Sequence, residues 1–190
     1  NAGSRITYSQ GFGVGNRKIE LIGEGYFEVK RNEEVPFLVK TNSLLVKVLG
    51  TKFNFRDYPD DAEAIVSLSE GKVALNNLLK KEKEAFLLPN ERVVLNKKNG
   101  RMHVEYSTVS NALQWTNGYL FFDEELLPDV VKELERSYNV KIQIASDTLN
   151  TFRFYGNFVH REQNIQEVLE ALSATRKIHY IIEGHNITFY

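Results

Sequence analysis

Cysteine is absent from the 190 residues, and methionine and tryptophan occur once each. Without cysteine there are no disulfide staples, no thiolate metal ligands and no thiol nucleophile. The compartment stays open, because proteins of oxidising and reducing environments alike can do without the residue. Charge of one sign is also lacking in excess: 24 Lys and Arg face 25 Asp and Glu, a formal balance of −1. A nucleic-acid binder would carry a basic surplus against the phosphates, so that class is set aside. No apolar run approaches the roughly 20 residues a membrane-spanning helix needs. What the sequence does hold is 42% hydrophobic and 12% aromatic residues, twelve Phe and nine Tyr among them. That is enough to build a core, and it excludes disorder as the general condition. The length sets a prior of one or two domains at roughly 150 residues each. The chain opens on strand-like sequence, with neither an initiator Met nor a signal-peptide pattern. It reads as a fragment or a processed form.

Residues 1–106 read as successive short strands. Val46 and Val48 flank Lys47, Phe53 and Phe55 flank Asn54, and Ala64, Val66 and Leu68 alternate with Ile65 and Ser67. Period-2 alternation with one apolar face marks half-buried strands. Turn residues punctuate them, among them Gly50, Pro59-Asp60, Gly71, Pro89-Asn90 and Asn99-Gly100. An all-β domain follows, solenoid- or sandwich-like, with no helical stretch inside it.

The pattern changes after Tyr106. Leu126, Leu127, Val130, Val131 and Leu134 fall at helical spacing, with Pro128 in the first turn and Asn139 as the C-terminal cap. A strand with Val140, Ile142 and Ile144 follows. Asn164 and Glu167 then form a capping-box pair before the apolar stripe Ile165, Val168, Leu169 and Leu172. Strands at Ile178–Ile182 and Asn186–Tyr190 close the chain. Leu127, Val130, Val131 and Leu134 recur 38 residues later as Ile165, Val168, Leu169 and Leu172. Two copies of strand, helix and strand predict a small duplicated β-α-β domain over 119–190, with 107–118 as the junction. The fold class is thus mostly β plus α+β. Residues 1–115 hold 17 basic and 14 acidic side chains and residues 116–190 hold 7 and 11, a modest split that names no partner.

Residues that could carry chemistry have plain structural readings. Gly11-Phe12-Gly13-Val14-Gly15 is followed by a strand pattern rather than a helix, so it reads as a hairpin loop and not a phosphate cradle. His103, His160, His179 and His185 lack metal-ligand spacing, and His103 with Glu105 reads as a surface pair. Glu24 and Glu28 share a strand face about 13 Å apart, too far for a coupled acid pair. Asp123-Glu124-Glu125 precedes a helix start, where negative charge is favourable. Phe53, Phe55, Phe121 and Phe122 are expected in the core, and Trp115 is expected to pack at the junction. Asn186-Ile187-Thr188 is a glycosylation sequon where the organism performs that chemistry. Neither an enzyme nor a cofactor or metal site is called for.

Four motifs carry a resemblance. Leu21-Ile22-Gly23-Glu24-Gly25-Tyr26-Phe27-Glu28-Val29, Pro36-Phe37-Leu38-Val39, Val46 through Phe55 and Val66 through Val73 stand in an order and spacing that resembles the FecR family of anti-sigma factors, with Gly25 where the family usually has Ala. Trp115 through Phe122 and Leu134 through Val140 resemble the C-terminal domain that accompanies FecR domains in Bacteroidota, a domain similar to the secretin and TonB short N-terminal fold. Asn1-Ala2-Gly3-Ser4 resembles the interior of the FecR domain, so opening strands are expected upstream. The resemblance implies the periplasmic sensing part of a single-pass inner-membrane protein. Its partners would be the N-terminal signalling domain of a TonB-dependent receptor and, through a cytoplasmic segment outside this sequence, a sigma factor.

Receptor binding is expected through the C-terminal domain. Asn186, Ile187, Thr188 and Phe189 are the candidate, as an unpaired sheet edge that accepts a partner's strand; the other reading puts this strand inside the sheet. A carbohydrate- or siderophore-binding module is the alternative function and would show a concave Tyr- and Phe-lined pocket. A hydrolase would show convergent acids in a cleft.

Overall fold

Alternating sequence becomes ten strands over the first hundred residues: β1 (Arg5–Tyr8), β2 (Arg17–Glu28), β3 (Phe37–Lys40), β4 (Leu44–Val48), β5 (Lys52–Asp57), β6 (Glu63–Glu70), β7 (Val73–Asn77), β8 (Ala85–Leu87), β9 (Glu91–Asn96) and β10 (Met102–Tyr106). The computed structural model describes residues 1–190, the side chain of Val109 excepted. The strands form one sheet in the order β10-β9-β6-β5-β2-β3-β4-β7-β8, with β1 beside β2. Every neighbouring pair is antiparallel except β2 with β3.

β2 turns this sheet into two wings. Its first residues, Arg17–Glu20, pair with β3, and its last, Gly23–Glu28, pair with β5. Gly23 opens the second pairing at φ +99°, and a Cβ there would lie 2.4 Å from Ser4 Oγ, so no larger residue fits. Inward side chains of both wings, including Leu21, Val46, Phe53, Val66 and Leu75, join one buried cluster. Of the two all-β readings, antiparallel wings closing on a shared core are sandwich-like; a solenoid would stack parallel strands.

The segment after β10 forms a short helix, α1 (Val109–Ala112), and a 3₁₀ turn at Gln114–Asn117 that carries half-buried Trp115. The chain divides into two compact units, Asn1–Leu113 and Gln114–Tyr190.

The second unit comprises β11 (Tyr119–Leu126), α2 (Leu127–Tyr138), β12 (Lys141–Ile144), a 3₁₀ turn at Asp147–Thr151, β13 (Arg153–Val159), α3 (Ile165–Ser173), β14 (Tyr180–Glu183) and β15 (Asn186–Phe189). α2 has Pro128 in its first turn and ends on Asn139 in the left-handed conformation, φ 52°. Its apolar stripe Leu127, Val130, Val131 and Leu134 is buried. α3 opens with a complete capping box in which Asn164 and Glu167 satisfy each other's backbone N–H groups. β11 pairs antiparallel with β13, while β12, β15 and β14 make a second sheet with β15 in the middle. Residues from both helices and both sheets share one buried cluster, separate from that of the first unit.

One expected core residue is misplaced by the sequence pattern. Phe122 and Leu120 point inward, so Phe121 between them faces outward opposite Asn157 and is 36% exposed. Alternation admits only one inward face.

Candidate partner-binding surface

The two edges of the three-stranded sheet are β12 and β14, because β15 is paired on both sides. Asn186, Ile187, Thr188 and Phe189 therefore lie inside the sheet, and the edge reading of this strand is corrected. Ile187 and Phe189 are buried in the core of the second unit. Their main chain has no side left for an incoming strand, since β12 takes one and β14 the other.

The true edges differ in how open they are. On β12 the outward N–H of Ile142 donates to Glu135 Oε1 at 2.9 Å, so a side chain from α2 occupies the ladder position. A capped edge of this kind resists strand addition. Among the described residues no side chain is hydrogen-bonded to the outward main chain of β14. His179 and Tyr190 exchange both backbone hydrogen bonds at 3.0 Å, which fixes the alternation along the hairpin. Ile181 then bonds toward β15, while the N–H and C=O of Tyr180 and Ile182 point away from the sheet. Ile181 and Ile182 are 51% and 42% exposed, and Tyr190 stands beside them at 52%. Unpaired backbone with apolar side chains on a short edge is what β-strand addition uses. Ile181-Ile182 was the available signal: two successive exposed-face apolar residues break the alternation of a half-buried strand.

The other singled-out residues fall into structural roles. Gly11 to Gly15 form the turn between β1 and β2, with Gly13 and Gly15 at positive φ. His103 Nε2 lies 3.6 Å from Glu105 Oε2 on the exposed strand β10. Asp123 and Glu124 sit in a bulge of β11, where the register shifts between Phe122 and Glu125. The acid in the first turn of α2 is Asp129 instead. The Tyr155 hydroxyl hydrogen-bonds to the Glu124 carboxylate, which raises the phenol above its ordinary value.

Sequence reasoning missed the polar hub of the first unit. Glu24 is 5% exposed and accepts from Asn54 Nδ2 and Asn1 Nδ2, each at 2.8 Å, with Arg56 3.9 Å away. Arg56 in turn pairs with Asp61 at 2.9 Å, and Lys97 reaches buried Asp57 at 2.7 Å. Its members lie on β2 and β5, at Asn1 and in the turns after β5 and β9, distant in sequence, so no local motif announces it. No group of three metal-ligating side chains converges among the described residues. An aromatic-lined hollow of about 230 Å³ lies in the second unit against Phe152, Phe154 and Tyr155. It is smaller than the roughly 300–1,000 Å³ that encloses a ligand.

Two family models match the chain: FecR protein over residues 1–74, and FecR, C-terminal over residues 119–189. Two crystal structures, each of a candidate anti-sigma factor from Parabacteroides distasonis, superpose with TM-scores of 0.89 and 0.88. Each is 32% identical, and the match covers 100% of this chain and 87% of that one. The chain belongs to the FecR family. No curated protein matches it. Membership makes this FecR-family chain part of an anti-sigma factor, a regulator of a sigma factor, in a family of generally non-enzymatic proteins. FecR anti-sigma factors are membrane-anchored and have a periplasmic region. No helix among the described residues is long and apolar enough to cross a membrane.

Proposed function

We propose that this chain is the periplasmic sensing region of a single-pass inner-membrane anti-sigma factor of the Bacteroidota. It binds the N-terminal signalling domain of a TonB-dependent outer-membrane receptor and relays ligand occupancy to an extracytoplasmic-function sigma factor. The relay runs through a membrane helix and a cytoplasmic segment outside this sequence. The second unit is the receptor-binding part, and its 38-residue sequence repeat marks it as an internal duplication. Residues 1–106 are then the FecR-like domain and 107–118 the junction to the C-terminal domain at 119–190.

The observation that carries the receptor role is the open edge of β14, with main chain unpaired at Tyr180 and Ile182 and apolar Ile181 and Ile182 exposed. The receptor's signalling domain adds a strand there: backbone hydrogen bonds supply affinity, and the isoleucines supply specificity. Isothermal titration of the whole chain with the isolated signalling domains of the same cell's TonB-dependent receptors tests this. One domain is expected to bind, and binding is expected to weaken by at least about tenfold in Ile181→Lys, since charge at a desolvated contact is costly. Undiminished binding by that variant would remove β14 as the site.

A further inference from the structure

Two turns of the first unit meet at one corner of the fold. Asn77 ends β7, and its side chain accepts from the N–H groups of Leu79 and Lys80 at 3.0 and 3.2 Å. Asn96 ends β9 and does the same for Lys98 and Asn99 at 3.1 and 3.2 Å. The Asn77 amide also donates to the Gly100 carbonyl at 2.9 Å, which ties the turns together. Gly100 sits so close that an added Cβ would lie 3.4 Å from Lys80 Cβ and 3.7 Å from Leu79 Cβ. The Leu78 N–H donates to Ser43 O at 2.9 Å, anchoring the corner to the β3–β4 turn as well.

This anchored corner presents an unusual pair of properties. Leu78 and Leu79 are 43% and 45% exposed, held in water at fixed positions. Exposed Lys80, Lys81, Lys83, Lys98 and Arg101 lie in or beside the same two turns, with the acids Glu82 and Glu84, and exposed Glu63 stands opposite Asn96. Lys80 pairs with Glu82 at 3.1 Å, and no ion pair engages Lys81, Lys83, Lys98 or Arg101 among the described residues. Lys97 is apart, since it reaches inward to Asp57.

We infer that this corner is a docking surface for an anionic lipid bilayer. Adjacent leucines at a loop tip enter the headgroup boundary, and the ammonium and guanidinium groups of the two turns meet lipid phosphates. Both terms are needed, because a few charges or two leucines alone hold a protein to a membrane only weakly. The charge complementarity favours a lipid surface bearing negative headgroups over a neutral one. Docking of this kind goes beyond receptor recognition, uses the other unit, and stands or falls separately from it.

Co-sedimentation of the whole chain with vesicles tests it, using pure phosphatidylcholine and an equal mixture of phosphatidylcholine and phosphatidylglycerol. The expected result is partition to the anionic vesicles at least about tenfold above the neutral ones, weakening as salt rises and shortens the screening length. Lys81→Glu/Lys83→Glu and, separately, Leu78→Ser/Leu79→Ser are expected to lose that partition with unchanged melting temperatures, since all four side chains are exposed. Absence of binding to anionic vesicles would overturn the inference, as would equal binding by the variants. So would a lipid-free dimer that the leucine variant disperses, which would assign the corner to a second copy of the chain.

Discussion

Glu24 shows what a single side chain carries in this fold. Its carboxylate is buried and accepts from Asn54 and Asn1 with Arg56 nearby, so its removal takes an acceptor from the buried Asn54 amide. Glu24→Ala is expected to destabilise the first unit by about 2–4 kcal/mol, with Glu24→Gln milder because it keeps the shape and one acceptor. The urea midpoints of the two variants check this. Gly71 carries a backbone constraint instead: φ is +93°, and a Cβ would approach the Gly50 carbonyl to 2.7 Å. Gly71→Ala is expected to cost about 1–3 kcal/mol by the same measurement. Tyr138 gives a pH signature. Burial, with the Glu167 carboxylate adding to it, raises its phenol above the ordinary 10.0, and its hydroxyl donates to Gln163 O at 3.1 Å. The folded state therefore holds this proton more tightly than the unfolded chain. Its contribution is whole below pH 10.0 and is lost as pH rises through the folded value. Denaturation midpoints are expected to fall less steeply above about pH 10 in Tyr138→Phe than in the parent chain.

Among elements, the helices were the most legible. Pro128, the stripe from Leu127 to Leu134, Asn139 and the Asn164/Glu167 box each state a local rule, and the structure follows all of them. Leu134→Ala is accordingly expected to cost about 2–5 kcal/mol, read from the thermal or urea transition of the second unit. Strand existence was equally legible from alternation in β4, β5 and β6. Strand order was not. An edge strand and a central strand share the same period of two, so nothing local to Asn186–Phe189 distinguishes pairing on one side from pairing on both. That order arises because β12 returns parallel to β15 and β14 antiparallel, a matter of which distant segments close the core. Phe121 was misread for a related reason: an apolar pair such as Phe121-Phe122 does not say which member faces in.

At the scale of the whole chain, two units with separate cores divide the surfaces. The first presents a basic, leucine-bearing corner, and the second an open strand edge. The family was legible from four motifs, while the polar hub around Glu24 was not, because its members are brought together only by strand pairing. Ile182→Pro is the sharpest test of receptor recognition through the second unit. The Ile182 N–H points away from β15, so proline there leaves the hairpin bonds intact and removes a donor from the open edge. The measurement is titration calorimetry of the whole-chain variant against the receptor signalling domain that binds the parent chain, with the melting temperature followed alongside. An unchanged fold is expected, with affinity reduced by at least about tenfold. Parent-like affinity in a folded Ile182→Pro chain would contradict it.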